Sequence, residues 1–268
     1  MKMPFTKMEG CGNDYVYIDG IAHDFPIDRA RELALLWSDR HLGIGADGLI
    51  VLGRDQDGLL RMQMWNADGS RGAMCGNGLR CLARFAEFNG YTSGSSFVIM
   101  TDSGPREVEL LATGSGDVLA QVGQVTCKPI CSIEISSCRY DFICGDAGNP
   151  HAVTFVDDVE TAEVQRIGTA LQAHAAFPDG VNVEFVQVIS DNRMKQRTFE
   201  RGAGETLACG TGAAFAAVAA RQVGRIDGHL AYVDLRGGTL SVVGEGPSLA
   251  IIGPVRSVFA GEVNLPRY

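Results

Sequence analysis

The sequence has no apolar run of the roughly 18 residues that a membrane-spanning helix needs. Its first residues, MKMPFTKMEGCGND, lack the apolar stretch of a secretory signal. A cytoplasmic setting with no membrane partner is therefore expected. Positive charge is short as well: 23 Lys and Arg stand against 32 Asp and Glu, a net charge of −9. Such a balance repels phosphate backbones, so no nucleic acid is expected as a partner. Small charged substrates, which feel local fields, are not excluded. There is no low-complexity segment and no regular alternation of strand and helix. Zinc-type cysteine pairs are scarce too. Cys127, Cys131, Cys138 and Cys144 leave gaps of three, six and five residues, and only the first matches the tight pairs of a zinc site. No metal is expected, and a metal-binding or redox module stays a distant alternative. No lysine stands in a recognisable Schiff-base context, so no cofactor is expected. The eight cysteines read as free or catalytic rather than as disulfide staples.

What the chain has is glycine, 34 residues of it, punctuating many short strands. DYVYID, GLIVL, LRMQMWN, SFVIMT, REVELLAT, DVLAQVG, CSIEIS, AVTFVDD, VNVEFVQVI, YVDLRGG, LSVVGEG and SLAIIG read as strands between turn residues. Four stretches read as helices: 28–40 and 159–175 by apolar spacing, and about 76–89 and 210–222 by Ala and Leu content. The last is apolar nearly all round, the pattern of a buried helix.

The last two helical stretches also match each other. Aligning MCGNGLRCLARFA (74–86) with ACGTGAAFAAVAA (208–220) gives five identities in 13 positions at an offset of 134, half the chain. Gly-Asn recurs at 12–13 and 148–149, and Asp-Gly before an apolar run recurs at 47–48 and 179–180. Each half thus runs from a Gly-Asn element through an Asp-Gly turn to a cysteine at a helix entrance. The period is far too long for a solenoid, so two related domains are expected. The boundary falls near 118, giving domains of 1–118 and 119–254. The final SVFAGEVNLPRY has no counterpart at the end of the first half.

A thiol at a helix entrance sits among unsatisfied N–H groups at the positive end of a dipole. That favours thiolate by up to about 2 kcal/mol, or about one pKa unit. The same N–H groups can hold a carboxylate. With Cys75 and Cys209 facing each other across a bound amino acid, one sulfur can remove the α-proton while the other returns a proton to the opposite face. Charge developing on the carboxylate falls where the N–H groups already point. Nine residues before these cysteines stand Asn66 and Glu200, the latter followed by Arg201. Arg suits a carboxylate and Glu an ammonium. His151 lies in the second Gly-Asn element, within reach of a role beside a thiol.

At GCGNDYVYIDG, RHLGIGADGLIVL, NADGSRGAMCGNGLRCLARF, GNPHAVTFVDD, GVNVEFVQV and ERGAGETLACGTGAA the sequence resembles the diaminopimelate epimerases. The resemblance implies an α+β fold of two pseudo-symmetric domains from an internal duplication. Each would be a β-sheet barrel around a central helix, with the active site in the interdomain cleft. It also implies a homodimer and a last segment, 255–268, packing back on the first domain. The implied activity is inversion of one α-carbon of LL-2,6-diaminopimelate to the meso form, without pyridoxal phosphate, in the supply of lysine and peptidoglycan precursors. Carried over by motif, Cys75 and Cys209 become the acid–base pair. Gly76, Asn77, Gly210 and Thr211 offer N–H groups to the reacting carboxylate. Asn13, Asn66, Asn149, Asn182, Glu200 and Arg201 line the substrate, and His151 and Glu200 tune the thiols. Gly48 departs from the pattern, since some members carry a polar side chain there. Another racemase of this fold, of the proline, hydroxyproline or histidine type, is the nearest alternative.

Overall fold

The computed structural model describes residues 2–113, 116–245 and 248–266. The chain divides into two compact units, Met1–Ala120 with Gly253–Tyr268, and Gln121–Ile252. In the first, the elements are β1 (Lys2–Gly10), β2 (Asn13–Asp19), a 3-10 turn (Ile27–Arg29), α1 (Ala30–Ser38), β3 (Gly48–Arg54), β4 (Leu60–Asn66), β5 (Arg71–Gly72), α2 (Gly76–Phe88), β6 (Ser96–Thr101) and β7 (Gly104–Leu110), and β8 (Val118–Gln124) begins in it and ends in the second. In the second they are β9 (Thr126–Ile135), β10 (Cys138–Asp146), β11 (Pro150–Phe155), α3 (Val164–Gln172), β12 (Asn182–Ser190), β13 (Arg193–Glu200), β14 (Gly204–Thr206), α4 (Gly210–Gln222), β15 (Leu230–Leu235), β16 (Gly238–Val243) and β17 (Ser248–Gly253). A last strand, β18 (Arg256–Asn264), returns to the first unit.

The pairing repeats strand for strand. β1–β2 is antiparallel, β2–β3 parallel, β3–β4 antiparallel and β4–β6 parallel. Likewise β10–β11 is antiparallel, β11–β12 parallel, β12–β13 antiparallel and β13–β15 parallel. The registers make Tyr15 equivalent to His151, since they face Gly48 and Asn182 in the parallel neighbours. Two residues along those neighbours, Ile50 is then equivalent to Glu184.

One expectation is corrected here. The C-terminal segment does have a counterpart, β9. β18 lies antiparallel to β1 as β9 lies antiparallel to β10. In sequence, β9 ends the first repeat and β18 the second, so each repeat hands its last strand to the other unit. The likeness was hidden because β9 reads TCKPICSIEI and β18 reads RSVFAGEVN. Only the pairing partner is shared.

Each unit wraps strands around one central helix and lays a second helix on the outside. In the first, Leu79, Leu82 and Phe85 of α2 pack with Tyr17, Ile50, Met62 and Ile99. The opposite faces of β2 and β3, through Val16, Ile18, Leu49 and Val51, pack on Leu33, Ala34 and Trp37 of α1. Both faces of these strands are covered, which is why they read as continuous apolar runs. In the second unit, Ile167 and Leu171 of α3 cover Val183 and Phe185. α4 is built from alanine, the best helix former, and Ala213, Ala214, Ala216, Ala217, Ala219 and Ala220 are all fully buried.

The helices are shorter than the spacing predicts. The 28–40 helix is a 3-10 turn followed by α1, and the 159–175 helix is confined to α3. Its predicted first residues instead run through bends that close on Asp158, whose carboxylate accepts from Glu160 N–H at 3.0 Å. Among the strands that carry no clear sequence signal are β1, β10 and β13. In β1 the buried positions change phase, Met3 and Phe5 then Met8, because the register with β18 slips between Lys7 and Met8. In β10, Phe142 and Ile143 are consecutive buried residues. In β13 the buried positions include Gln196 and Thr198, the Gln196 amide donating to the Thr198 hydroxyl at 2.8 Å.

The described cysteines form no disulfide. Cys131 and Cys144 nonetheless bring their sulfurs to 3.1 Å across β9 and β10. Diamide, a two-electron thiol oxidant, is expected to join these two with loss of both thiol protons. The reaction should be slow near neutrality and faster at higher pH. Burial, and then the neighbouring Cys131, pushes the Cys144 thiol up to about 12, and only thiolate attacks. Peptide mapping checks the pairing; a link through exposed Cys138 instead would contradict it.

Candidate active site

Each central helix begins at a cysteine in extended backbone. Cys75 has φ −134° and ψ 122°, and its sulfur accepts from Gly78 N–H at 3.4 Å. Cys209 has φ −121° and ψ 111°, and its sulfur accepts from Gly212 N–H at 3.3 Å. Both thiols are therefore N-caps, doing for these helices what serine commonly does. The glycines are required by close approach. A Cβ at Gly78 would lie 2.7 Å from Ile50 Cδ1, and one at Gly212 would lie 2.5 Å from Glu184 Oε1. The glycine and its contact residue are equivalent in the two repeats; the chemistry of that contact is not.

In the first unit the Cys75 thiol donates to Asn13 Oδ1 at 3.2 Å. The same amide donates through Nδ2 to Asp47 Oδ2 at 2.8 Å. Asp47 also accepts from Asp14 N–H and Arg40. A carboxylate accepts only, so Asp47 decides which end of the amide meets the sulfur. Sequence reasoning passed over Asp47. Its signal was the quoted GADGL turn, where it was read as turn chemistry alone. Burial, then the charge of Asp14, raises the Asp47 carboxyl above its ordinary range.

In the second unit Cys209 is buried and its thiol is pushed well above the ordinary value, by burial first and then by the carboxylates of Glu200 and Glu184. Thr211 and the Gly212 N–H act the other way and are outweighed. This corrects the expectation that a helix entrance lowers the pKa. Loss of water costs the thiolate more than one turn of N–H groups returns.

The remaining predicted residues fall as follows. His151 is almost fully buried, with Nδ1 2.8 Å from Glu184 Oε1 and Nε2 2.8 Å from the Asn149 side-chain amide. Asn182 is buried and both ends of its amide are used, accepting from Arg201 N–H at 2.9 Å and donating to Pro150 O at 3.2 Å. It shapes the turn that carries Glu200 and Arg201. Glu200 accepts from the Thr206 hydroxyl at 2.5 Å. Arg201 is exposed, its guanidinium resting on Asp179 O at 3.3 Å. Asn66 donates to Ser70 Oγ at 2.9 Å. Asn77 is buried in the first turn of α2, where Gly76 stands beside it, and Gly210 and Thr211 open α4. Thr211 Oγ1 lies 3.5 Å from Cys209 Sγ. At Gly48 a Cβ would meet Trp65 O at 2.2 Å, so this chain has no room for the side chain other members carry there. Among the described residues no three His, Cys, Asp or Glu side chains group as a metal site. No described helix is long and apolar enough to cross a membrane.

A duplicated fold with a thiol capping the central helix of each unit defines the class of protein. Solved structures share the fold. A PhzF-family phenazine biosynthesis protein of Bacillus anthracis matches with a TM-score of 0.78 at 14% identity, over 99% of this chain and 100% of that one. A hydroxyproline epimerase from Agrobacterium vitis matches with a TM-score of 0.75 at 16% identity, over 98% and 92%. The sequence model of the diaminopimelate epimerase family matches residues 5–128 and 143–256. A diaminopimelate epimerase of Leptospira biflexa serovar Patoc is 40% identical over 99% of this chain and all of its own length. One of Methanococcus maripaludis strain C6 is 38% identical over 98% and 100%. The chain belongs to the diaminopimelate epimerase family, a family of isomerases.

Proposed function

We propose that the protein inverts one α-carbon of LL-2,6-diaminopimelate to give the meso isomer, with Cys75 and Cys209 as the two bases. The observation that carries this is the repeated N-cap: two thiols in the same backbone setting, each at the N–H end of a helix. Family membership supports the substrate. Burial and the neighbouring carboxylates favour the thiol form of Cys209, the form that can deliver a proton. For a substrate whose α-hydrogen faces Cys75, Cys75 takes that hydrogen and Cys209 delivers its own to the other face. The N–H groups of Gly76, Asn77, Gly210 and Thr211 receive the carboxylate, whose charge grows as the carbanion forms. Each well-aimed donor of that kind contributes about 3–4 kcal/mol to the transition state. The reading needs neither an electron-sink cofactor nor a metal. Asn13 and Asn149 orient the reacting end, and Asn66, Asn182, Glu200 and Arg201 hold or shape the distal one. His151 and Glu200 set the protonation of the thiols. A cytoplasmic homodimer completes the proposal; β18, with Val258 and Phe259 half-exposed, offers a strand for a second copy.

The test is incubation with LL-diaminopimelate in deuterated water, following inversion and α-deuterium together. Both should appear at matched rates. Arg201→Ala should raise KM for diaminopimelate by about tenfold or more, the value of one charge-assisted hydrogen bond of about 1.5–3 kcal/mol. Turnover of proline or hydroxyproline as fast as diaminopimelate would move the assignment to the other racemases.

A further inference from the structure

Glu184 is fully buried in the middle of β12, beneath the first turn of α4. A carboxylate almost never sits there without a partner. Its Oε1 meets His151 Nδ1 at 2.8 Å. Its Oε2 is buried with no hydrogen-bond partner among the described residues. The His151 ring lies flat on Phe215 of α4, centroids 5.4 Å apart and planes 18° from parallel. Stacking fixes the plane of the ring, and the carboxylate fixes its rotation within that plane. Because a carboxylate accepts only, it also holds the proton on Nδ1. The far nitrogen, Nε2, then carries a lone pair, so the Asn149 amide 2.8 Å away turns its NH2 end, not its oxygen, toward the ring.

The first repeat solves the same problem differently. There Asp47 reaches the equivalent amide, Asn13, directly, and that amide meets Cys75. The residue equivalent to Glu184 is Ile50, in an apolar core with Leu52 and Met62. The residue equivalent to His151 is Tyr15. A buried apolar side chain at this place is thus compatible with the fold, and an acid here is not required by packing.

We propose that Glu184 is a positioning residue: it holds the His151 imidazole in one tautomer and one orientation, and through it the Asn149 amide, doing in the second unit what Asp47 does in the first. The proposal deepens the epimerase reading and rests on it for its kinetic part. It predicts that this side chain governs turnover without touching substrate.

Two variants separate the role from folding. Glu184→Leu imitates the first repeat. Glu184→Gln keeps an oxygen that can accept from Nδ1. With diaminopimelate, Glu184→Leu should lower kcat about 10²-fold, the cost of a slightly misplaced group, with KM changed only a few-fold. Glu184→Gln should recover much of the loss, and both should unfold near the wild-type temperature. Nitrogen-15 NMR of histidine-labelled protein gives a readout that needs no substrate. The hydrogen-bonded Nδ1–H signal of His151 should be present in wild type and Glu184→Gln and absent in Glu184→Leu. An unchanged imidazole signal in Glu184→Leu would overturn the proposal, as would full kcat in that variant. Should wild type itself fail to epimerise diaminopimelate while the imidazole signals behave as stated, the substrate assignment falls and the positioning role stands.

Discussion

Cys75→Ala and Cys209→Ala are each expected to lower kcat for epimerisation by about 10²–10⁴-fold, the range for loss of one positioned acid or base. Each thiol has its own face of the substrate, so neither can substitute for the other. Folding should survive, because the cap contacts to the Gly78 and Gly212 N–H groups are long, at 3.4 and 3.3 Å. Serine sharpens the result. It caps a helix at least as well, yet its hydroxyl is a far weaker acid than a thiol and cannot hold the anion near neutrality. Cys209→Ser should therefore keep the fold and lose inversion. A substrate analogue with a leaving group on the β-carbon adds a second reading, since elimination needs only one base. A variant lacking one thiol should still eliminate from the isomer whose hydrogen faces the other. Near wild-type inversion by either alanine variant, with circular dichroism unchanged, would end the two-base reading.

Asp14→Asn is expected to cost about 3 kcal/mol of stability at pH 7, the low end for breaking a buried ion pair. Asp14 is nearly buried, with Lys7 Nζ at 2.8 Å and Arg40 bound through both terminal nitrogens at 2.7 and 3.1 Å. Lys7 also donates to Gly45 O. Arg40 is half-exposed, which keeps the figure from rising further. Burial alone would raise the Asp14 carboxyl, but hydrogen bonds and charge from Arg40 and Lys7 outweigh it and hold it below its ordinary range. A depressed folded value stabilises the native state above the unfolded value of about 3.9, and that stability is lost as pH falls through the folded value. Asp47 works in the opposite sense. Its raised carboxyl costs stability at neutral pH, and the cost is relieved as it protonates. Urea denaturation should thus show the gap between wild type and Asp14→Asn narrowing below about pH 4. A gap constant down to pH 2.5 would show that the loss is not electrostatic. Activity should drop as well, because Arg40 bridges Asp14 to Asp47, and Asp47 holds Asn13 against Cys75.

The polar half of each site shows where sequence reasoning stops. Asn13, Asn149 and His151 stood in quotable Gly-Asn elements, so they could be nominated. Asp47 lay in a turn motif that explains an acid without any further role. Glu184 lay in NVEFVQVIS, where alternation would send a charged residue outward. It faces inward because β12 is covered on both sides, by α3 and by α4. Covered strands have no polar face to read, so period 2 fails on them. β13 went unread for a different reason: its burial alternates, but Gln196 and Thr198 fill inward positions.

The sequence by itself determined the duplication, the two helices that begin at Cys75 and Cys209, and the family. Those rest on local rules: glycine where a Cβ would clash, a capping atom before an Ala- or Leu-rich run, and motifs repeated at a fixed offset. Only the tertiary structure decided which strands share partners, hence that β9 and β18 are equivalent. It also decided the state of the thiols. Helix-terminal N–H groups are a property of chain geometry and can be anticipated from sequence. The loss of water around Cys209, and the approach of carboxylates from β12 and the end of β13, depend on how the chain folds back around the helix entrance. Desolvation and long-range charge are properties of packing, and they outweigh the local field at that sulfur.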